Sequence, residues 1–107
     1  GLGDVYKRQT IQSGDLQIDP SSRQVHVGEK EISLTKTEFE LLLYLVRNTG
    51  IVLSREKLIQ NVWGPDFFGT LGVVEVYMNY LRKKLGVEGK RIKTIRGIGY
   101  TLLKDHS

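Results

Sequence analysis

The residues with the clearest chemistry in this sequence are cations, and they gather in its last third. Seven basic residues and one acid, Glu88, lie between positions 82 and 96, whereas glutamates predominate between positions 29 and 40. Basic side chains neutralise and hydrogen-bond polyanions, and the net charge of +4 has the same sign. A polyanionic partner is therefore expected at this end of the chain. The seven cations are Arg82, Lys83, Lys84, Lys90, Arg91, Lys93 and Arg96.

A helix from about Val73 to Leu85, closed by Gly86, would position several of these cations. Its apolar residues recur at helical spacing and predict one buried stripe, formed by Val74, Met78, Leu81 and Leu85. The opposite face comprises Val76, Asn79, Tyr80 and Lys83, with Glu75, Tyr77, Arg82 and Lys84 on its flanks. Such a face suits a major groove, where an amide can bond adenine, a methyl can touch thymine and a cation can bond guanine or phosphate. The alternative is an ordinary solvated helix face.

The segment after this helix predicts a hairpin from Lys93 to Leu102 with a glycine-bearing tip, Gly97-Ile98-Gly99. Arg96 stands at the edge of that tip. A slender protrusion that carries a long cation suits a minor groove, whose negative potential attracts arginine. Solubility is the alternative reason for an arginine beside a turn.

Earlier elements must supply the scaffold that positions this helix and hairpin. Apolar residues alternate from Leu16 to Leu34, with turns at 20–22 and at Gly28, and predict three short antiparallel strands. A chain of 107 residues is long enough for one domain with a single core. One face of the small sheet must therefore be covered by helices of the same domain.

Two helices are predicted between the strands and helix 73–85. Thr35 and Glu38 have the spacing of a capping box, which predicts a core helix from about Thr37 to Asn48. Ser54 is a suitable N-cap for a short second helix that ends near Trp63. A loop over residues 65–72 then leads to helix 73–85.

Composition argues against an enzyme or a metal protein. The chain has no cysteine and only two histidines, His26 and His106, so neither a thiolate metal site nor a nucleophile paired with a base is expected. We expect no cofactor. No apolar run approaches the roughly 18 residues that span a bilayer, and the absence of cysteine fits a cytoplasmic protein.

Five motifs, in order and at matching separations from about Ile11 to Leu103, resemble the OmpR/PhoB-type effector domain of bacterial two-component response regulators. They are Leu34-Thr35-x-x-Glu38, Ser54-Arg55-Glu56-x-Leu58, Val62-Trp63-Gly64, Val74-Glu75-Val76-Tyr77-x-x-x-Leu81-Arg82-x-Lys84-Leu85 and Thr94-x-Arg96-Gly97-x-Gly99-Tyr100. The resemblance implies an α+β winged helix-turn-helix with an N-terminal antiparallel four-stranded sheet, three helices and a C-terminal β-hairpin wing. It also implies an additional strand near Thr10 to Gln12.

The resemblance implies sequence-specific binding of double-stranded DNA that controls transcription, with helix 73–85 in the major groove and hairpin 93–102 at the minor groove. Val76, Asn79 and Tyr80 match base-facing positions of the family's recognition helix, and Lys83 shares their face. Tyr77 and Arg82 match phosphate or edge contacts, Trp63 and Thr94 match backbone contacts, Arg96 matches the wing arginine and Tyr100 matches a tyrosine that reaches phosphate. For Trp63 and Tyr100, a place in the core is the alternative.

The sequence departs from the family pattern where target choice is set. Gly72 replaces a cation that many members carry just before the recognition helix, and Asn79-Tyr80 replaces a basic pair of some members. The loop 65–72 is the family's candidate contact for RNA polymerase and here contains Phe67 and Phe68, for which burial is the alternative. A protein-docking module that uses the basic face and this loop is the alternative function.

The resemblance also implies how the domain fits into a larger regulator. Residues 10–104 are expected to form the DNA-binding domain, residues 1–9 a linker remnant or cloning scar, and residues 105–107 a C-terminal tail. Family members carry an N-terminal receiver that is phosphorylated on an aspartate, and the stretch before Ile11 is too short to be one. They bind tandem repeats as dimers assembled through that receiver, so the isolated domain is expected to be a monomer.

Overall fold

The computed structural model describes residues 10–105; the interpretation of residues 1–9 as a linker remnant and the end of the predicted tail lie outside it. Two small sheets flank three helices. In chain order the elements are β1 (Ile11–Ser13), β2 (Leu16–Asp19), β3 (Gln24–Val27), β4 (Lys30–Ile32), α1 (Lys36–Arg47), β5 (Leu53–Ser54), α2 (Arg55–Leu58) continued by a π-helical segment (Ile59–Trp63), α3 (Gly72–Leu85), a 3-10 segment (Gly86–Arg91), β6 (Ile92–Ile95) and β7 (Gly99–Leu102).

The N-terminal sheet is four-stranded, antiparallel and ordered β1-β2-β3-β4. Leu16, Ile18 and Val25 point into the core, as the alternating pattern predicts for a sheet with one covered face. Strand β1 confirms the additional strand that the resemblance implied near Thr10 to Gln12. Strand β4 ends at Ile32, so the prediction that Leu34 lies in a strand is wrong; Leu34 belongs to the link that enters α1.

Helix α1 forms the centre of the core and begins with the predicted capping box. Thr35 accepts a hydrogen bond from the Glu38 amide, and the Glu38 carboxylate accepts one from the Thr35 amide. The same carboxylate pairs with Lys84 Nζ of α3 at 2.6 Å. Burial raises the pKa of Glu38, but the hydrogen bonds from Lys84 and Thr35 lower it by more, so the pKa lies below its ordinary 4.5. The cap therefore also ties α1 to α3.

Helix α2 is short and changes its winding. Ser54 accepts a hydrogen bond from the Lys57 amide, which confirms the predicted N-cap. After Leu58 the chain winds as a π-helix and ends at Gly64, whose φ of 100° favours glycine. The extent of the helix matches the prediction, but the sequence did not indicate the π-helical segment.

The second sheet, ordered β5-β7-β6, fastens the hairpin to the helices. Strand β5 has two residues and pairs Leu53 with Tyr100 and Ser54 with Gly99. A Cβ atom at Gly99 would clash with the Leu53 carbonyl oxygen, so this approach of β7 to β5 requires glycine. Strand β7 is therefore anchored, close to the hairpin turn, to β5, which lies between α1 and α2.

Candidate nucleic-acid interface

Helix α3 buries the predicted stripe and exposes the predicted face. Val74, Met78 and Leu81 are fully buried and Leu85 is nearly so. On the opposite side Val76 and Tyr80 are 45% and 49% exposed, and Asn79 and Lys83 are also exposed. Exposed large apolar groups beside an amide and a cation cost hydration free energy, which a partner surface could recover.

The wing is a hairpin of β6 and β7 whose tip lies in solvent. Ile98 donates a backbone hydrogen bond to the Ile95 carbonyl at 2.9 Å, and Gly97 takes a φ of 77°. Arg96, Gly97 and Ile98 are all exposed. Within residues 10–105 Arg96 forms no hydrogen bond or ion pair, so its guanidinium is available to a partner.

Arg82 joins the exposed face of α3 to the wing. Its Nε and Nη2 donate to the Ile92 carbonyl of β6 at 3.1 and 3.0 Å, and Nη2 also donates to Thr94 Oγ1 at 2.8 Å. Its Nη1 donates to Asn79 Oδ1, one turn earlier in α3, at 3.2 Å. The resemblance implied a phosphate or edge contact for Arg82. Its side chain is half-buried and forms four hydrogen bonds, so it also fixes the distance between α3 and the wing.

A row of aromatic rings extends this surface from α2 to α3. The Trp63 and Tyr77 ring centroids are 5.3 Å apart at 78°, and those of Tyr77 and Tyr80 are 5.6 Å apart at 74°. Edge-to-face contacts of this kind are favourable and restrict ring motion. Trp63 and Tyr77 are half-buried, and Tyr77 contacts both other rings and so links Tyr80 to Trp63. The i, i+3 spacing of Tyr77 and Tyr80 on one helix is the sequence signal for this row.

The structure corrects the prediction for Tyr100. Its side chain is 1% exposed and lies in the core, where β7 pairs with β5. The guanidinium carbons of Arg55 and Arg82 lie 5.5 and 5.8 Å from the centre of its ring. A side chain so deeply buried packs the wing against the helices, and we remove Tyr100 from the candidate DNA-facing surface.

The loop before α3 separates the two phenylalanines. Phe67 is half-buried, with its ring centroid 6.1 Å from that of Trp63, whereas Phe68 is 97% exposed. The predicted alternative, burial, thus holds in part for Phe67, whereas Phe68 is exposed. Gly72 is exposed and is the first residue of α3, whose N-cap, Leu71, supplies no side-chain hydrogen bond.

Lys90, beside the C-terminal end of α3, is a contributor that the sequence did not single out. The 3-10 segment packs against the helix through Gly89, where a Cβ atom would clash with the Arg82 carbonyl oxygen. This approach leaves an open groove next to Asn79, and exposed Lys90 stands at its edge. The groove is lined by Asn79, Arg82, Lys83, Gly86, Gly89 and Lys90. The basic run already contained Lys90, but spacing could not show that it faces the same groove as Lys83.

The part of the chain that the structure describes offers neither a metal-binding cluster nor a membrane-spanning helix. Residues 10–105 hold no group of three histidine, cysteine, aspartate or glutamate side chains that could bind a metal ion. Over the same residues, no helix has the length and apolar character needed to cross a membrane. The exposed face of α3, the wing tip and the groove between α3 and the 3-10 segment thus form the candidate site.

Comparison with known proteins decides the family. The family described as "Transcriptional regulatory protein, C terminal" matches residues 29–102. The chain belongs to this family. The OmpR/PhoB homologue DrrB of Thermotoga maritima is 34% identical with a TM-score of 0.79, over 95% of this chain and 49% of DrrB. The α+β winged-helix fold and the non-enzymatic OmpR/PhoB-type DNA-binding effector domain predicted from the sequence are therefore confirmed.

Two further relatives differ in how much of their own length this chain covers. The DNA-binding domain of Klebsiella pneumoniae RstA, solved in complex with the RstA box, is 37% identical with a TM-score of 0.79, over 89% of this chain and 97% of that one. The response regulator MprA of Mycobacterium tuberculosis is 42% identical over 101 residues, which cover 92% of this chain and 44% of MprA. The chain thus spans less than half the length of that relative.

Proposed function

We propose that this effector domain binds double-stranded DNA sequence-specifically, with α3 in the major groove and the wing tip at the adjacent minor groove. The observation that carries the proposal is the Arg82 bridge, which holds the exposed face of α3 and the wing in one fixed arrangement. A major groove about 12 Å wide admits one helix, and a narrow minor groove attracts arginine. A surface of merely solvated cations would need no such bridge.

Within this proposal each exposed residue has a chemical role. Val76 offers methyl groups to thymine, and Asn79 and Tyr80 face base edges. Lys83 and Arg96 meet phosphate and the minor groove, and Thr94 and the edges of Trp63 and Tyr77 contact the backbone. The RstA domain, which shares this fold at 37% identity, was solved in complex with the RstA box, and this supports DNA binding by the present domain.

The wider setting follows from the relatives and belongs to the same proposal. We infer that residues 10–104 form the effector domain of a cytoplasmic response regulator of a two-component phosphorelay, as the name of MprA suggests. A receiver domain would then control pairing of two copies on tandem repeats, and the isolated effector domain would be a monomer. Light scattering at micromolar concentration tests the last point, since a stable dimer of the isolated domain would contradict it.

A second candidate function rests on Phe68. An aromatic ring that is 97% exposed on a loop is unfavourable in water and suits a protein partner. RNA polymerase is the partner that the family pattern suggests. Docking through this loop is compatible with DNA binding. Docking through the loop alone, in place of DNA binding, would leave the exposed face of α3 and Arg96 without a role.

Selection from random duplexes followed by a salt titration tests DNA binding. Among the described residues, Lys83, Lys93 and Arg96 are exposed cations of α3 and the wing without an ion pair, whereas the exposed Lys84 pairs with Glu38. If each neutralises one phosphate, log K should fall by about 2.7 for each unit of log salt concentration, at about 0.9 per phosphate. Enrichment of a defined sequence together with such a slope supports the proposal. Absence of enrichment and of any binding at low salt would refute it and favour the docking module.

A further inference from the structure

The contact between Arg82 and Asn79 fixes which end of the Asn79 amide faces outward. Arg82 Nη1 lies 3.2 Å from the oxygen Oδ1 of Asn79, one turn away on the same helix. A guanidinium has five donors and no acceptor, so only the amide oxygen can face it. The amide nitrogen Nδ2, with its two N–H donors, must then point to the other side.

Arg82 itself has little freedom to release this contact. Its Nε and Nη2 donate to the Ile92 carbonyl, and Nη2 also donates to Thr94 Oγ1, both on strand β6. The guanidinium is planar, so bonds on two of its sides fix the direction of Nη1. The wing strand therefore sets the orientation of a side chain on the exposed face of α3.

Major-groove base edges differ in how they meet such a donor. Adenine offers the acceptor N7 beside the donor N6, whereas guanine offers two acceptors, N7 and O6. The paired contact of asparagine with adenine needs Oδ1 to accept from N6. Here the positive charge of Arg82 stands beside Oδ1 and disfavours a second donor there, while Nδ2 can still donate to the acceptors of guanine.

We infer that Arg82 is a positioning residue that makes Asn79 a guanine reader, in place of the adenine reader that asparagine usually is. The inference rests on the proposed function, because it requires α3 to lie in the major groove. It reverses the expectation drawn from the amide alone, in which Asn79 bonds adenine. The base preference is set by the Arg82–Asn79 pair and by its attachment to β6.

Parallel selections from random duplexes test the inference. The wild-type domain is compared with Asn79→Ala, to find the base pair that Asn79 reads, and with Arg82→Met, which keeps much of the apolar stem and removes the donors. Lys30→Ala, on β4, is the control for loss of one positive charge. Circular dichroism and a thermal melt show that each variant is folded before selection.

Asn79→Ala should abolish the base preference at one position of the site. At that position the wild type is expected to prefer guanine over adenine by about 5- to 150-fold. Replacing that guanine with 7-deazaguanine, which lacks the N7 acceptor, should weaken the wild type but leave Asn79→Ala unchanged. Arg82→Met should shift the preference toward adenine at this position alone, a change that a purely structural role would not produce.

Three results would overturn the inference while leaving DNA binding intact: adenine or another base at that position, no position that depends on Asn79, or an Arg82→Met variant that is folded, binds DNA and keeps the wild-type guanine preference. If Arg82→Met does not fold, the base that the wild type selects and the response to 7-deazaguanine still decide whether Asn79 reads guanine. Failure of the wild type to enrich any duplex is a different outcome, since it refutes the proposed function and the inference with it.

Discussion

Replacing Arg96 with alanine should weaken DNA binding without changing the stability of the domain. Arg96 lies at the exposed wing tip and forms no hydrogen bond or ion pair within residues 10–105, so its removal breaks no internal contact there. The tip itself is held by the Ile98 amide and by the φ of Gly97, and neither depends on the arginine side chain. The change therefore isolates the contribution of the wing to binding.

The size of the effect follows from one lost charged contact. A hydrogen bond to a charged group contributes about 1.5 kcal/mol, which corresponds to about tenfold in Kd at 25 °C. One phosphate fewer also lowers the salt slope by about 0.9. When salt is raised fourfold, from 50 to 200 mM, the factor by which affinity falls should be about 3.5 times smaller for the variant than for the wild type.

Fluorescence anisotropy of a labelled, selected duplex measures both quantities in one salt series. Lys30→Ala is the matched control, because it removes one exposed cation from the other sheet and should keep the wild-type slope. Duplexes with a narrow A/T minor groove should show the largest loss for Arg96→Ala. Equal Kd and slope for the wild type and Arg96→Ala would remove the wing from the binding mechanism.

Three further predictions concern the scaffold and the loop. Glu38→Gln should lower the free energy of unfolding at pH 7 by about 1.5 kcal/mol, since Lys84 loses its charged partner. The pKa of Glu38 in the folded protein lies below 4.5, so the difference between variant and wild type in chemical denaturation should vanish as pH falls through that pKa. A difference that does not depend on pH would contradict this prediction. Gly99→Ala should cost about 1–3 kcal/mol by clashing with Leu53, whereas the control Gly72→Ala, with only van der Waals contact, should stabilise α3, and equal melting temperatures would refute this. Phe68→Ser should alter neither melting temperature nor duplex affinity, and a tenfold loss of affinity would place the loop on DNA.

Local patterns predicted the elements whose causes are local. The capping box of Thr35 and Glu38 involves residues three apart, and the buried stripe of α3 repeats at helical spacing, so both could be read from the sequence. The hairpin tip was likewise marked by Gly97 and Gly99. These features placed the exposed face of α3 and the hairpin correctly.

Features that depend on distant partners could not be read in this way. Strand β5 has two residues and exists because Leu53 meets Tyr100, far along the chain. The same pairing buries Tyr100, which its aromatic ring and hydroxyl alone left undecided. The Arg82 bonds to β6 need the helix and the strand to be packed first, so spacing within α3 could not reveal them. The orientation of Asn79, and with it the expected base, followed only from the packed structure.

Amide chemical-shift mapping with a selected duplex tests the central claim most directly. If α3 lies in the major groove and the wing tip at the minor groove, the largest shifts should fall on residues 76–83 and 94–98, while β1 to β4 change little. Binding should be saturable and weaken with salt. Shifts confined to the loop 65–72 or to the N-terminal sheet, with α3 and the wing unchanged, would contradict the account.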